Sequence, residues 1–180
     1  MIDEEELLQQ LKSEKHKQEA FKTLLSLYKE RLYWHIRNIV KSHDDADDVL
    51  QNTFIKVFKN IDSFKGESKL FSWMYRIATN EAITFINQNA KRLKTTSEEV
   101  QMLALNNLES DVYFEGSDIQ LKLQKAIATL PEKQQLVFNM KYFQELKYSD
   151  MSEILETSEG ALKASYHIAV KKIEAFLSED

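Results

Sequence analysis

Three glycines and a single proline are all that this 180-residue chain contains, and that scarcity limits its fold more than any motif does. Hairpin turns and phosphate-cradling loops both rely on glycine for backbone conformations that other residues avoid. A chain so poor in turn formers favours long helices. No segment shows the alternating apolar pattern of a half-buried strand. The expected class is all-α.

Apolar residues recur at Phe21, Leu24, Leu25, Tyr28, Leu32, Ile36 and Ile39, which predicts a first helix of several turns. Past SHDDADD, a second helix turns Leu50, Phe54, Val57, Phe58 and Ile61 inward. Gly66 interrupts the pattern within DSFKGESK. A third helix follows over about residues 70–90, with Phe71, Met74, Ile77, Ala78 and Phe85 toward the core. These helices make up a first domain, residues 1–94.

Residues 95–117 are polar and acidic, carry no lysine or arginine, and read as a flexible linker with a short helix over about 100–105. The second domain, residues 118–180, opens with an amphipathic helix. Pro131 then falls in the first turn of another helix running to about residue 142, where its missing N–H costs nothing. A compact helix over about 149–155, the turn ETS and a longer helix from about Ser158 give the outline of a helix-turn-helix.

Several classes of chemistry are excluded or disfavoured. The chain has no cysteine, so disulfides, thiolate nucleophiles and cysteine-bound zinc are ruled out. The acidic run Asp44, Asp45, Asp47, Asp48 lacks the glycine and terminal glutamate of an EF-hand, and carboxylates at a helix start already suit its dipole. The four histidines show no metal-ligand spacing, and nothing resembles a nucleophile elbow. No catalytic residue, metal or cofactor is expected. No apolar run is long enough to span a bilayer, and the N-terminus is acidic where a signal peptide is basic, so the expected location is cytoplasmic, without membrane insertion. A net charge of −5 argues against indiscriminate nucleic-acid binding but leaves room for a local basic face.

Three helical stripes remain once the core faces are assigned. On the second helix, Asp48, Gln51, Asn52, Ile55 and Lys59 follow i, i+3, i+4, i+7, i+11 spacing, and their mixture of amides and isoleucine suits a docking partner as well as it suits solvent. On the third, Arg76, Asn80, Thr84, Asn87 and Lys91 align. Ahead of that helix, Phe64, Lys65, Lys69, Phe71, Trp73 and Tyr75 interleave rings with bases, a pattern that serves either a core or a surface for unstacked nucleobases. On the last helix, Gly160, Lys163, Ala164, His167 and Lys171 align opposite Leu162, Ala169, Ile173 and Phe176. Small residues there permit close approach, and the bases favour an anionic partner.

The segment DADDVLQNTFIKVFKNIDSFKGESKLFSWMYRIATNEA resembles domain two of bacterial sigma factors of the extracytoplasmic-function (ECF) group, with ADDV-x-Q, F-x-G and F-x-x-W-M-Y-R-I-A-x-N patterns. LPEKQQLVFNMKYFQELKYSDMSEILETSEGALKASYHIAVKKI resembles domain four of the same family, and the two together span roughly 21–176. The resemblance implies that Asp48, Gln51, Asn52 and Ile55 dock on the clamp coiled coil of the largest subunit of core RNA polymerase, with the flap of the second-largest subunit as a further contact. It implies that loop 61–69, with Phe64, Lys65 and Lys69, and the residues Arg76, Asn80, Thr84 and Lys91 meet the minus-ten promoter element. The helix from Ser158 would enter the major groove at the minus-thirty-five element with Gly160, Lys163, Ala164, His167, Lys171 and Lys172. The linker would lie in the channel that later carries RNA. Partners implied are core polymerase, promoter DNA and an anti-sigma factor that is in some cases membrane-bound, and the trigger is a stress or envelope signal.

One departure stands out. Where the family's recognition helix carries several arginines, this chain has Ser165, Ile168 and Val170, leaving Lys163, His167, Lys171 and Lys172. The bidentate fork of arginine to guanine is therefore missing, and attachment to polymerase would have to supply effective concentration. The alternative is a free-standing helix-turn-helix regulator whose N-terminal block senses a ligand or dimerises.

Overall fold

A computed structural model describes residues 3–106 and 116–179, and every regular element among them is helical. The order is α1 (Glu4–Leu11), α2 (Lys17–Val40), α3 (His43–Asn60), α4 (Leu70–Leu93), α5 (Ser97–Asn106), α6 (Asp118–Ala128), α7 (Glu132–Tyr142), α8 (Tyr148–Leu155) and α9 (Glu159–Ser178). A short 3-10 turn, Ile61–Ser63, ends α3.

Local chemistry sets most boundaries. Asp3 accepts a hydrogen bond from the Glu5 N–H, and three glutamates occupy the first turn of α1, the sign the helix dipole favours. This helix adds to the expected elements, and its Leu7 and Leu11, one turn apart, are buried. Ser42 caps α3 through its hydroxyl, with Asp44 and Asp45 in the first turn. Lys41 and Lys94 close α2 and α4 in left-handed conformation, φ 66° and 53°. Ser117 and Gln120 form a reciprocal capping box at the start of α6. Pro131 lies one position earlier than expected, as the residue capping α7.

Helices α2, α3 and α4 pack around Leu24, Leu32, Ile36, Val49, Val57, Met74 and Ala78. The inward face of α4 is rotated from the expected one: Leu70, Tyr75, Thr79, Ala82 and Ile86 are buried, whereas Phe71, Ile77 and Phe85 are only partly so. The reason is that α4 is covered on two sides, by α2 and α3 and also by α8. Phe58, expected in the core, sits on the rim, with Phe21 edge-on at 5.0 Å and the Lys17 ammonium 4.9 Å from its ring centre.

The two blocks do not stand apart. Leu136, Val137, Met140, Leu146, Met151 and Ile154 belong to the same buried cluster as the core of α2–α4. Helix α5 occupies part of the expected linker and is longer than the 100–105 segment foreseen. It packs on α4 and α6, with Leu105 fully buried against Leu121. Residues 107–115 of that linker lie outside the described residues. No helix among the described residues is long and apolar enough to cross a membrane.

Candidate nucleic-acid and partner interface

Helix α3 shows the clearest division of faces. Ala46, Val49, Thr53, Phe54 and Val57 are buried, and the Thr53 hydroxyl, which water cannot reach, donates to the Val49 carbonyl at 2.8 Å. Asp48, Gln51, Asn52, Ile55 and Lys59 are all exposed, Ile55 by half its surface. Beside this stripe lies an apolar groove of about 530 Å³ lined by Phe21, Leu25, Leu50, Gln51, Phe54, Ile55 and Phe58. Phe21 and Phe58 thus extend the exposed surface beyond the stripe. Spacing hinted at this, because Phe58 falls three residues after Ile55 and seven after Gln51.

The loop between α3 and α4 is tied down. Lys17 pairs with Asp62 at 2.7 Å, and the Lys12 ammonium donates to the Phe64 carbonyl at 2.5 Å. Gly66 has φ +74°, in the left-handed region, with open space where a Cβ would be. Lys65 is exposed, but Phe64 is buried with its ring centre 5.0 Å from that of Trp73. Phe71 and Tyr75 lie 4.2 Å apart between centres, and Arg31 sits 4.7 Å over Phe71. Burial pushes the Tyr75 hydroxyl up to about 12, with Arg31 opposing the shift. The rings interleaved with bases in the sequence are therefore largely packed on one another. Phe64 is a core residue that anchors its loop and does not offer a ring to solvent.

The polar stripe of α4 is split. Asn80, Thr84 and Lys91 are exposed. Arg76 instead donates from Nη2 to the Glu153 carbonyl at 2.6 Å, with Nη1 3.3 Å from Glu156. Lys69 lies 2.5 Å from Asp150, whose carboxylate holds the ammonium above the ordinary lysine value by hydrogen bond and charge. Nothing in the spacing of Lys69 and Arg76 could have shown that α8 engages them.

Helices α8 and α9 form the expected helix-turn-helix. Glu156 turns the chain at φ 52°, and the Ser158 hydroxyl accepts from the Ala161 N–H at 3.3 Å. Leu162, Ala169 and Ile173 are buried, while Ser158, Gly160, Lys163, Ala164, His167, Lys171 and Lys172 are exposed. No atom lies within 4 Å of where a Cβ on Gly160 would be, so the face is open there. Lys163 is loosely held, 3.9 Å from Glu159 and 5.5 Å above the Tyr148 ring. Lys172 reaches Gln134 on α7 at 3.2 Å.

His35 and Lys41 are buried where the blocks meet. His35 contacts Thr79 at 2.7 Å and Gln144 at 3.0 Å, and burial lowers its pKa to about 3. Lys41 donates to Gln124 at 3.0 Å, and its pKa falls to about 7 through burial, reinforced by the charge of Arg37.

Comparison with known proteins supplies the context for these faces. The chain matches the sigma-70 region 2 family over residues 24–92 and the sigma-70 region 4 family over residues 120–173. It is 30% identical to the ECF RNA polymerase sigma factor SigW of Bacillus subtilis, over 83% of this chain and 84% of that protein. To the ECF RNA polymerase sigma-E factor of Haemophilus influenzae it is 27% identical, over 86% of each. Among solved structures its fold is similar to that of CnrH in complex with the cytosolic domain of CnrY, with a TM-score of 0.72, 20% identity and 98% of both chains covered. The sigma factor RpoE of Bartonella quintana, in complex with the anti-sigma factor NepR, gives a TM-score of 0.66 at 21% identity, over 89% of this chain and 98% of that one.

Proposed function

We propose how this chain, which belongs to the extracytoplasmic-function group of the sigma-70 family and directs promoter recognition in transcription initiation, divides that work among its exposed faces. Asp48, Gln51, Asn52 and Ile55 dock on the clamp coiled coil of the largest polymerase subunit, and the groove beside them receives an apolar side chain of that partner. The C-terminal block rests on the flap of the second-largest subunit. Lys65, Lys69, Arg76, Asn80, Thr84 and Lys91 form the path of the minus-ten element, with Phe64 fixing the loop from beneath. Helix α9 enters the major groove of the minus-thirty-five element, Lys163 and His167 toward base edges and Lys171 and Lys172 toward phosphates. The segment 95–117 follows the channel that RNA later fills.

The role is one of recognition and positioning, with no chemical step of its own, and it belongs to the cytoplasm, where polymerase and promoter DNA meet. An anti-sigma factor, membrane-bound where the signal arises at the envelope, holds the chain inactive until stress releases it. Support comes from the two solved relatives, whose structures contain CnrY and an anti-sigma factor.

The observation that supports the docking assignment most directly is the α3 face, where amides and a half-exposed isoleucine line a helix whose opposite side is fully packed. Such surfaces are the fabric of interface centres, which are poor in charge relative to open surface. Asp48→Arg and Gln51→Ala should each weaken pull-down of core polymerase and lower run-off transcription, with helicity unchanged by circular dichroism. Wild-type polymerase affinity in both variants would overturn the assignment.

A further inference from the structure

The loop assigned above to the minus-ten element is fastened by residues at the start of the chain. Its own hydrogen bonds are local: the Phe64 N–H donates to the Ile61 carbonyl at 3.1 Å, and the Ser63 hydroxyl to the Asn60 carbonyl at 2.7 Å. Three further ties come from the N-terminal segment. The Lys12 ammonium donates to the Phe64 carbonyl at 2.5 Å, Lys17 pairs with Asp62 at 2.7 Å, and the Leu70 N–H donates to a Glu4 carboxylate oxygen at 2.9 Å. Helix α4 has no side-chain cap of its own at Lys69. Glu4 therefore satisfies one of its first N–H groups from another helix, at the end where the dipole favours a carboxylate. We infer that α1 is a brace for the minus-ten loop, and that Lys12, bonded to the loop's backbone, is a positioning residue for base selection.

The three ties are unequal. Asp62 is well exposed, and ion pairs of that kind contribute little in water. The Lys12 and Glu4 bonds are partly buried and join a charged group to backbone, the stronger class of hydrogen bond. Their anchorage is firm, because Leu7 and Leu11 set α1 into the buried cluster that α2, α3 and α4 share. Phe64 is thereby held at its ring by Trp73, at its N–H by Ile61 and at its carbonyl by Lys12. Beyond that fixed point Lys65, Gly66 and Glu67 are exposed, and Gly66 turns the chain at φ +74°. A loop pinned on both sides of its exposed tip has met the entropic cost of ordering before DNA arrives, and it offers the tip in one place. Glu4, Lys12 and Lys17 all precede residues 24–92, the segment that matches the sigma-70 region 2 family, so the brace lies outside the matched region.

This inference rests on assigning the loop to the minus-ten element, so one arm of the experiment contains no DNA. The chain has no cysteine, and a spin label at Glu67→Cys reports motion of the tip by continuous-wave electron paramagnetic resonance on the full chain. Lys12→Met should sharpen the spectrum and Lys12→Arg should restore it. Lys15→Met, an equal change of charge at an exposed lysine nearby, should leave it as it was. The second arm uses unlabelled chain, reconstituted with core polymerase, transcribing a barcoded template library randomised across the promoter. Lys12→Met should reduce discrimination among minus-ten bases by about tenfold, the effect of losing one charge-assisted hydrogen bond. Preference at the minus-thirty-five element should stay, whereas general damage to the fold would lower both. The tip variant Lys65→Ala, Gly66→Ala, Glu67→Ala tests the underlying assignment. An unmoved label in Lys12→Met, or a minus-ten preference that survives in Lys12→Met but is lost in the tip variant, overturns the inference. If the preference survives in the tip variant as well, the loop's assignment to DNA falls and Lys12 loses its part in base selection, whereas a sharpened label spectrum still upholds the brace.

Discussion

The imidazole of His35 and the hydroxyl of Thr79 lie 2.7 Å apart, and that hydroxyl also donates to the Tyr75 carbonyl at 2.7 Å. With its one proton committed to Tyr75, Thr79 can only accept from His35, so Nε2 carries the ring proton and Nδ1 is left to accept from the Gln144 amide at 3.0 Å. One neutral histidine therefore joins α2 and α4 to the segment between α7 and α8.

That geometry sets a pH dependence. The His35 pKa falls from 6.5 to about 3 through burial, so between those values the unfolded chain binds a proton that the folded one refuses. Stability linked to this residue is full above pH 6.5 and is lost as the pH falls toward 3. Urea midpoints measured at several pH values should decline across this window, and His35→Gln should flatten the decline relative to wild type. Identical slopes in both proteins would show that another group governs it.

Lys41 works at the other end of the scale. Its folded value of about 7 lies below the ordinary 10.5, so unfolding takes up a proton between those limits and stability rises as pH climbs from 7 toward 10.5. Lys41→Met removes the titrating group. The variant should gain less stability than wild type between pH 7 and 10 in the same urea series.

Gly66 answers to backbone conformation and not to crowding. Its φ is +74° and the space around it is open, so Gly66→Ala meets no clash but must hold a left-handed backbone, at about 1 kcal/mol. Asparagine tolerates that region better, so Gly66→Asn should lose less. Thermal melts of the two variants rank them, and equal melting points would show that the loop relaxes.

On α9, Lys163→Ala should lower affinity for a matched minus-thirty-five element by roughly 1–3 kcal/mol and relax the preferred base, as loss of a base-edge contact does. Lys171→Ala should weaken all sequences alike and reduce the salt slope by about one unit. Binding of the polymerase-bound chain to matched and mismatched elements separates the two. Equal, sequence-blind losses would make the helix an electrostatic contact alone.

Much of this was legible before folding was considered. Scarce glycine and proline set the all-α class, and apolar spacing placed the outward stripes of α3 and α9, because a helix carries its own angular record of which residues are alike. The exposed positions of Gln51, Ile55, Lys163 and His167 follow from that record directly. Helix α1 was also there to be read, in Asp3, three glutamates and the Leu7–Leu11 pair, though so short an amphipathic segment is stable only once docked.

Tertiary structure alone decided the rest, because periodicity gives faces and says nothing of what meets them. Phe64 and Phe58 carry equal hydrophobicity, yet the first is buried under its loop and the second stands on a rim, a difference set by where α1, α2 and α4 pass. His35 and Lys41 look like ordinary surface polar residues of a helix, and they lose their water only because α6 and the end of α7 close over them. Arg76 and Asn80 share one stripe, but α8 reaches the first and not the second. Which cations stay free is settled by contacts between residues some eighty positions apart along the chain, such as Lys69 and Asp150, and such contacts leave no trace in local spacing.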